Sequence, residues 1–221
     1  MSAIRVTAFN WVPPFAAGLV RDLRVRWALE EAGLAYEERL ISQDDKVKPQ
    51  YRQEQPFGQV PVYEEDGLTM FETGAIVLHI AERSEALMPR DREGRALTQT
   101  WLFAALNTIE PHIQNLALID LFCAKEEWAR LRRPGVVQMV ETRLRDLSAR
   151  LDGHPYLVAD RFTAADLMMV TVLRILRHTD LVQRQPSLHA YQQRCEARPS
   201  FKKALADQIA PFAKNAPPPG N

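Results

Sequence analysis

The sequence has no apolar run near the ~20 residues that would span a membrane, and no apolar stretch of signal-peptide type near its start. A helical membrane protein is excluded, and a cytoplasmic location is expected. Net charge is also missing, since 28 Lys and Arg balance 28 Asp and Glu among 221 residues. Such a chain has no broad electrostatic grip on nucleic acid or anionic lipid, although a local basic pocket is compatible with it. Cysteine is scarce. Cys123 and Cys195 fall in different predicted helices, without metal-ligand spacing and without a CxxC pair, so neither a metal centre nor dithiol redox chemistry is expected. No internal repeat is present, and low complexity is confined to the terminal APPPGN. What remains is a chain that is 46% apolar and long enough for one large domain or two modest ones.

The first 84 residues mix strands and helices. IRVTAF (4–9) is a short apolar, β-branched run and reads as a buried strand. Pro13-Pro14 imposes a loop. From Ala16, Leu19, Val20, Leu23 and Trp27 follow helical spacing up to a stop at Gly33. YEERLI (36–41) is a second strand, followed by a polar loop with a helical turn. Val60 and Val62, then Glu65-Asp66-Gly67, then Leu68–Phe71 read as a hairpin that leads into a helix closing near Arg83. The order β-α-β-α-β-β-α predicts a parallel pair extended by antiparallel strands, a thioredoxin-like arrangement.

Residues 85–92 read as a linker, and 93–210 as an all-helical domain. A helix through ALTQTWLFAALNTIEPHIQNLALIDLF is expected to kink at Pro111. A second runs from about Val136 to Leu151. In DRFTAADLMM, Thr163 and Asp166 form a capping box, with Phe162 placed to staple against Leu167. Two shorter helices follow, broken at Arg198-Pro199. Residues 211–221 read as a flexible tail.

The stretch GQVPVYEEDGLTMFETGAIVLHIAE (58–82) carries the densest signal. Pro61 removes a ladder donor, which suits a strand edge or start and leaves the backbone of Val60 to pair with an added extended peptide. Thr73 stands where an N-cap belongs, at a helix end suited to a carboxylate. Glu72 beside it is an acceptor for an ammonium. A zwitterionic γ-glutamyl end on a peptide backbone satisfies all three, while each residue alone equally suits an ordinary strand end or cap.

RVRWALEEAGLAYE (24–37), PFGQVPV (56–62), FETGAIVLHIAE (71–82) and LVADRFTAADLMM (157–169) together resemble the cytosolic glutathione transferases, over nearly the whole chain. The resemblance implies a thioredoxin-like domain followed by a helical bundle, a homodimer, glutathione as co-substrate, no metal, and a small electrophile as second substrate. It implies that Val60, before a cis Pro61, pairs with the cysteinyl part of glutathione. Glu72 and Thr73 match the pair that holds the γ-glutamyl group, Gln59 adjoins the tripeptide, and Lys48 (with Lys46) belongs to the loop that meets the glycyl carboxylate. Thr163 and Asp166 match the family's folding motif and carry no chemistry.

The family's nucleophile is the glutathione thiolate, and a free thiol is mostly protonated at neutral pH. The segment FNWVPPFAAGLVRDLRVRW (9–27) contains no Tyr, Ser, Thr or Cys to stabilise that anion. The amide of Asn10, the indole of Trp11 and the backbone N–H groups opening the first helix are the substitutes, with Asn10 first and Trp11 also a candidate pocket wall. By the resemblance, Phe15, Trp101 and Thr108 line the site of an apolar electrophile, with Val12, Ala105 and His112 as neighbours. The alternatives to a transferase are a glutathione-dependent reductase or isomerase, and a binding or interaction module that keeps the fold without the chemistry.

Overall fold

The computed structural model describes residues 3–217. The chain divides into two compact units. One runs through Leu87 and resumes from Arg198, and the other spans Met88–Ala197.

The first unit is built on a four-stranded sheet. Strand β1 (Ile4–Phe9) is buried along most of its length and pairs in parallel with β2 (Tyr36–Ile41), Phe9 opposite Ile41. The intervening α1 (Asp22–Ala32) ends at Gly33, whose φ of 66° is the left-handed stop expected of a glycine after a helix. β1 also pairs antiparallel with β3 (Tyr63–Glu65), which turns into β4 (Leu68–Met70), giving the order β2-β1-β3-β4. Asp66 and Gly67 form the two-residue turn, both at positive φ, as a tight hairpin with right-handed strand twist requires. A short α2 (Pro49–Glu54) precedes β3, and α3 (Thr73–Ala81) follows β4. The β-α-β-α-β-β-α order and the mixed sheet match the sequence expectation.

Three boundaries differ. The first helix begins at Asp22, not Ala16, because Pro14–Ala16 form a 3-10 turn and Gly18 sits at φ 76°, which breaks the helical run. The hairpin's first strand begins at Tyr63, so Val60, Pro61 and Val62 precede it rather than form it. The last helix, α9 (Pro199–Asn215), runs past the expected tail boundary at 211 and packs on α1 within the first unit, whereas 198–210 were expected as part of the helical domain. Residues 218–221 of the expected tail lie outside the described residues.

The reason α9 belongs here is chemical. Asp22 and Arg26 are buried in α1 with their charges joined at 2.7 Å, and Gln208 Nε2 of α9 donates to Asp22 Oδ1 at 2.7 Å and to the Val20 carbonyl at 3.0 Å. Arg26 also pairs with Glu38. Around this polar cluster Phe201 meets Trp27 edge to face, with ring centroids 4.8 Å apart, and Arg198 forks onto Glu31 at 2.6 and 2.7 Å.

The second unit is helical: α4 (Arg92–Ala104), α5 (Glu110–Ala117), α6 (Glu127–Arg150), α7 (Ala164–Leu173) and α8 (Pro186–Glu196). All ten residues of α7 are buried, so it is the apolar axis of this unit, with α4 and α8 packed against it. The expected kink at Pro111 takes another form. A π turn over Ala105–Ile109 absorbs an extra residue and delivers Pro111 to the first turn of α5, where a missing N–H costs nothing. A second π turn spans Leu118–Phe122. α6 begins at Glu127, nine residues before the expected start, and carries Pro134 within it. Cys123 and Cys195 form no disulfide. No helix among the described residues is long and apolar enough to cross a membrane.

The capping box is as the sequence reads. Thr163 and Asp166 cap α7 reciprocally, and Asp166, fully buried, accepts from the Leu157 and Thr163 amides at 2.9 Å each, the Thr163 hydroxyl at 3.1 Å and the Tyr191 hydroxyl at 3.0 Å. Burial pushes this carboxyl up to about 6, so at neutral pH it is still the anion, held by four donors.

Candidate functional site

The register of the sheet decides which residues meet. Arg5 faces Glu64 and Val6 faces Tyr63, and the Thr7 amide donates to the Val62 carbonyl at 2.9 Å. Continued along the strand, this register sets Val60 beside Phe9, the residue before Asn10. On the other side Tyr63 faces Met70, Glu64 faces Thr69 and Glu65 faces Leu68. Phe57 and Phe71 pack edge to face at 6.0 Å. Phe9, the last residue of β1, thus shares a small core with Val60, and Phe57 meets Phe71, the residue before Glu72.

Val60-Pro61 is a cis peptide. The Val60 side chain packs into a small core with Ile41, Tyr51 and Val62, against Phe9 and Val20. Val60 is 5% exposed, yet among the described residues neither its backbone N–H nor its carbonyl has a hydrogen-bond partner. A folded chain tolerates that only where water or a ligand reaches the groups. The preceding carbonyl, Gln59, is fixed by the Tyr51 hydroxyl at 2.6 Å, and burial raises that phenol to about 12, so it stays a donor. Gly58 stands at φ 62°, and a Cβ there would lie 2.7 Å from Arg52 Nη1 and 3.0 Å from the Lys46 carbonyl. The loop holding Lys46 is thus tucked beneath the turn that leads to Gln59.

Glu72 adopts φ 69°, a conformation that costs a non-glycine residue free energy and recurs at binding sites. It is exposed, and its carboxylate has no partner among the described residues. Here the structure corrects one expectation. Glu72 occupies the cap position of α3 and Thr73 is its first helical residue, buried at 5% exposure, its hydroxyl accepting from Arg24 Nη1 at 3.2 Å. The positive φ of Glu72 accounts for the one-residue shift, because it turns the backbone into the helix one step earlier than an N-cap Thr73 would.

Asn10 donates its backbone N–H to the Ile41 carbonyl at 2.8 Å, extending the β1–β2 ladder by one bond. Its side-chain amide is half-buried and has no partner among the described residues, and Trp11 beside it is also half-buried. Val12 is core, and Phe15 stands half-exposed in the 3-10 turn. Of the two lysines, Lys48 Nζ is 2.6 Å from Asp45, and with Ser42 it holds that carboxyl well below the usual carboxylate range. Lys46 lies over the Phe9 ring at 5.7 Å, at the residue next to Asn10. Trp101 in α4 lies under the Arg150 guanidinium at 5.9 Å, and Thr108 is exposed in the π turn. Ala105 is core, and His112 edges a cleft of about 210 Å³ with Gln138, Met139 and Arg143. Among the described residues no three His, Cys, Asp or Glu gather closely enough to hold a metal ion.

Two contributors escaped the sequence reading. Tyr51 carried no signal, since its contact with Gln59 depends on how α2 is folded back. Arg24 reads from the sequence only as one more charge of the first helix, because its partner Thr73 lies 49 positions away.

The model of the glutathione S-transferase N-terminal domain matches residues 6–82, and that of the C-terminal domain matches 131–199. Glutathione S-transferase 4 of Zea mays is 30% identical, the alignment covering 98% of each chain. Glutathione S-transferase alpha-2 of Rattus norvegicus is 32% identical over 82% of this chain and 81% of its own. Among solved structures, a glutathione transferase from Burkholderia graminis, with two glutathione molecules bound per subunit, has a TM-score of 0.81 at 24% identity, covering 99% of this chain and 90% of that one. Poplar glutathione transferase F1 has a TM-score of 0.81 at 22% identity, covering 95% and 100%. These two carry the fold. With two domain models matched in order and a full-length relative at this identity, the chain belongs to the glutathione S-transferase family of enzymes.

Proposed function

We propose that the chain binds glutathione along Val60 and the start of α3 and presents its thiolate to a small apolar electrophile. The observation that carries this reading is Val60, a buried residue with an unpaired backbone, together with Glu72, a cap residue at positive φ whose carboxylate is also unpaired. An extended cysteinyl backbone fits the first, as a strand fits a sheet edge. The γ-glutamyl ammonium fits Glu72, and its carboxylate fits Thr73 with the free N–H groups opening α3. Gln59 and Pro61 shape the same edge, and Lys48 would exchange Asp45 for the glycyl carboxylate.

Asn10, at the end of β1, is the assigned donor to the thiolate. Its amide proton lowers the cost of the anion, and Trp11 walls the sulfur from solvent. The sulfur then bonds to the electrophilic carbon while the leaving group departs with the bonding pair. Phe15, Trp101 and Thr108 are assigned to that electrophile. The chain works as a cytoplasmic homodimer in detoxification, a reading supported by its family. Phe57, 63% exposed on the same edge, offers an apolar anchor for the second copy. Sedimentation at twice the chain mass is expected, and a single-chain mass would discard the dimer.

The test is a calorimetric glutathione titration paired with thiolate absorbance across pH. Binding with the thiol pKa lowered supports a transferase. Binding without ionisation favours the module without chemistry, a reading motivated by the missing hydroxyl and thiol in residues 9–27. Asn10→Ala is expected to lower turnover about ten- to hundredfold, as loss of one donor to a reacting anion does, with little change in glutathione affinity. Unchanged turnover would move the role to backbone amides.

A further inference from the structure

Arg24 is a guanidinium on α1 that is only 3% exposed, and it donates from Nη1 to the Thr73 hydroxyl oxygen at 3.2 Å. The direction of that bond is fixed by chemistry, because arginine has donors only. Thr73 must therefore accept, and its own hydroxyl proton must go elsewhere. Other helical threonines here send theirs back one turn: Thr98 to the Gly94 carbonyl, Thr100 to Ala96 and Thr142 to Gln138, at 2.8–2.9 Å. Thr73, first in its helix, has no preceding helical turn, and among the described residues its hydroxyl proton has no acceptor. A buried hydroxyl that accepts from a cation and has nowhere to donate lacks an acceptor, and the cation behind it favours an anionic one. The first-turn N–H groups of α3, nine residues long, point the same way.

We propose that Arg24 is a positioning residue for glutathione. It turns the Thr73 hydroxyl outward as a donor to the γ-glutamyl carboxylate and sets a buried positive charge behind that bond. The inference rests on the glutathione reading above. It makes Arg24, which touches no substrate, a determinant of specificity for a carboxylate at that end of the ligand.

The test compares glutathione with an analogue in which the γ-glutamyl carboxylate is replaced by hydrogen, both titrated by calorimetry. The wild-type chain is expected to prefer glutathione. Arg24→Met is expected to weaken glutathione about tenfold, the scale of one charge-assisted hydrogen bond, while changing the analogue's affinity about twofold or less. Thr73→Val should lose a similar factor, and the double variant little more than either alone, because both remove one linked interaction. Arg24→Met weakening both ligands alike, or losses that multiply in the double variant, would make Arg24 a packing residue only and overturn the proposal. Should Arg24→Met not fold, Arg24→Lys is read by the same preference. A reduced preference supports the role, and a full one ends it. Glutathione bound without preference over the analogue defeats this inference alone, and binding of neither ligand defeats both readings.

Discussion

Glu72→Ala is expected to weaken glutathione binding about ten- to hundredfold, because a hydrogen bond between charged partners is worth ~1.5–3 kcal/mol. The residue has the features such a role demands. It holds φ 69° at the cap of α3, it is exposed, and no described side chain competes for its carboxylate. Alanine tolerates that φ no better than glutamate, so the backbone term largely cancels and the lost affinity reports the carboxylate. Glu72→Gln keeps an acceptor oxygen and loses the charge, so a smaller loss is expected. Titration of both variants, at a salt concentration held constant, separates the two contributions. An unchanged Kd in Glu72→Ala would remove Glu72 from the site.

Asp166→Ala is expected to destabilise the second unit by about 3–5 kcal/mol, among the larger effects a single substitution produces. The carboxylate accepts four bonds, and alanine would strand two buried amides and a tyrosine hydroxyl with no route to water. Asp166→Asn offers one oxygen but turns an amide donor toward other donors, so it should recover only part of the loss. Urea unfolding followed by tryptophan fluorescence gives the midpoints. A shift equivalent to less than about 1 kcal/mol would show that this box is an ordinary surface cap rather than a buried junction.

The sequence was informative where a residue's own chemistry decides its place. Gly33 stops α1, Asp66-Gly67 makes the hairpin turn, and Thr163 with Asp166 caps α7, each through local backbone demands. The proposed glutathione residues stand out for a related reason, since proline, an acid and a hydroxyl are unusual in β-β-α. Position was harder to read where packing decides. The apolar spacing from Ala16 looked helical, but Gly18 at φ 76° interrupts it, and Val60 and Val62 look like strand while serving as core beneath Phe9 and Tyr51. α6 continues through Pro134-Gly135, which local propensity reads as a break. The shift of Thr73 from cap to first helical residue was hidden because it depends on a positive φ at glutamate, which no propensity favours.

The return of α9 to α1 has a consequence for how the chain is made. Phe201 covers Trp27, and Gln208 satisfies Asp22, so α1 lacks these partners until α9 has been synthesised. The sheet is made before α9 and cannot close its own interior without it. Until Gln208 arrives, the Asp22–Arg26 pair faces water on a side that will later be sealed. The second unit, contiguous in sequence, can complete itself in the interval. The unit that carries the N-terminal family match is thus closed by residues from a distant part of the sequence.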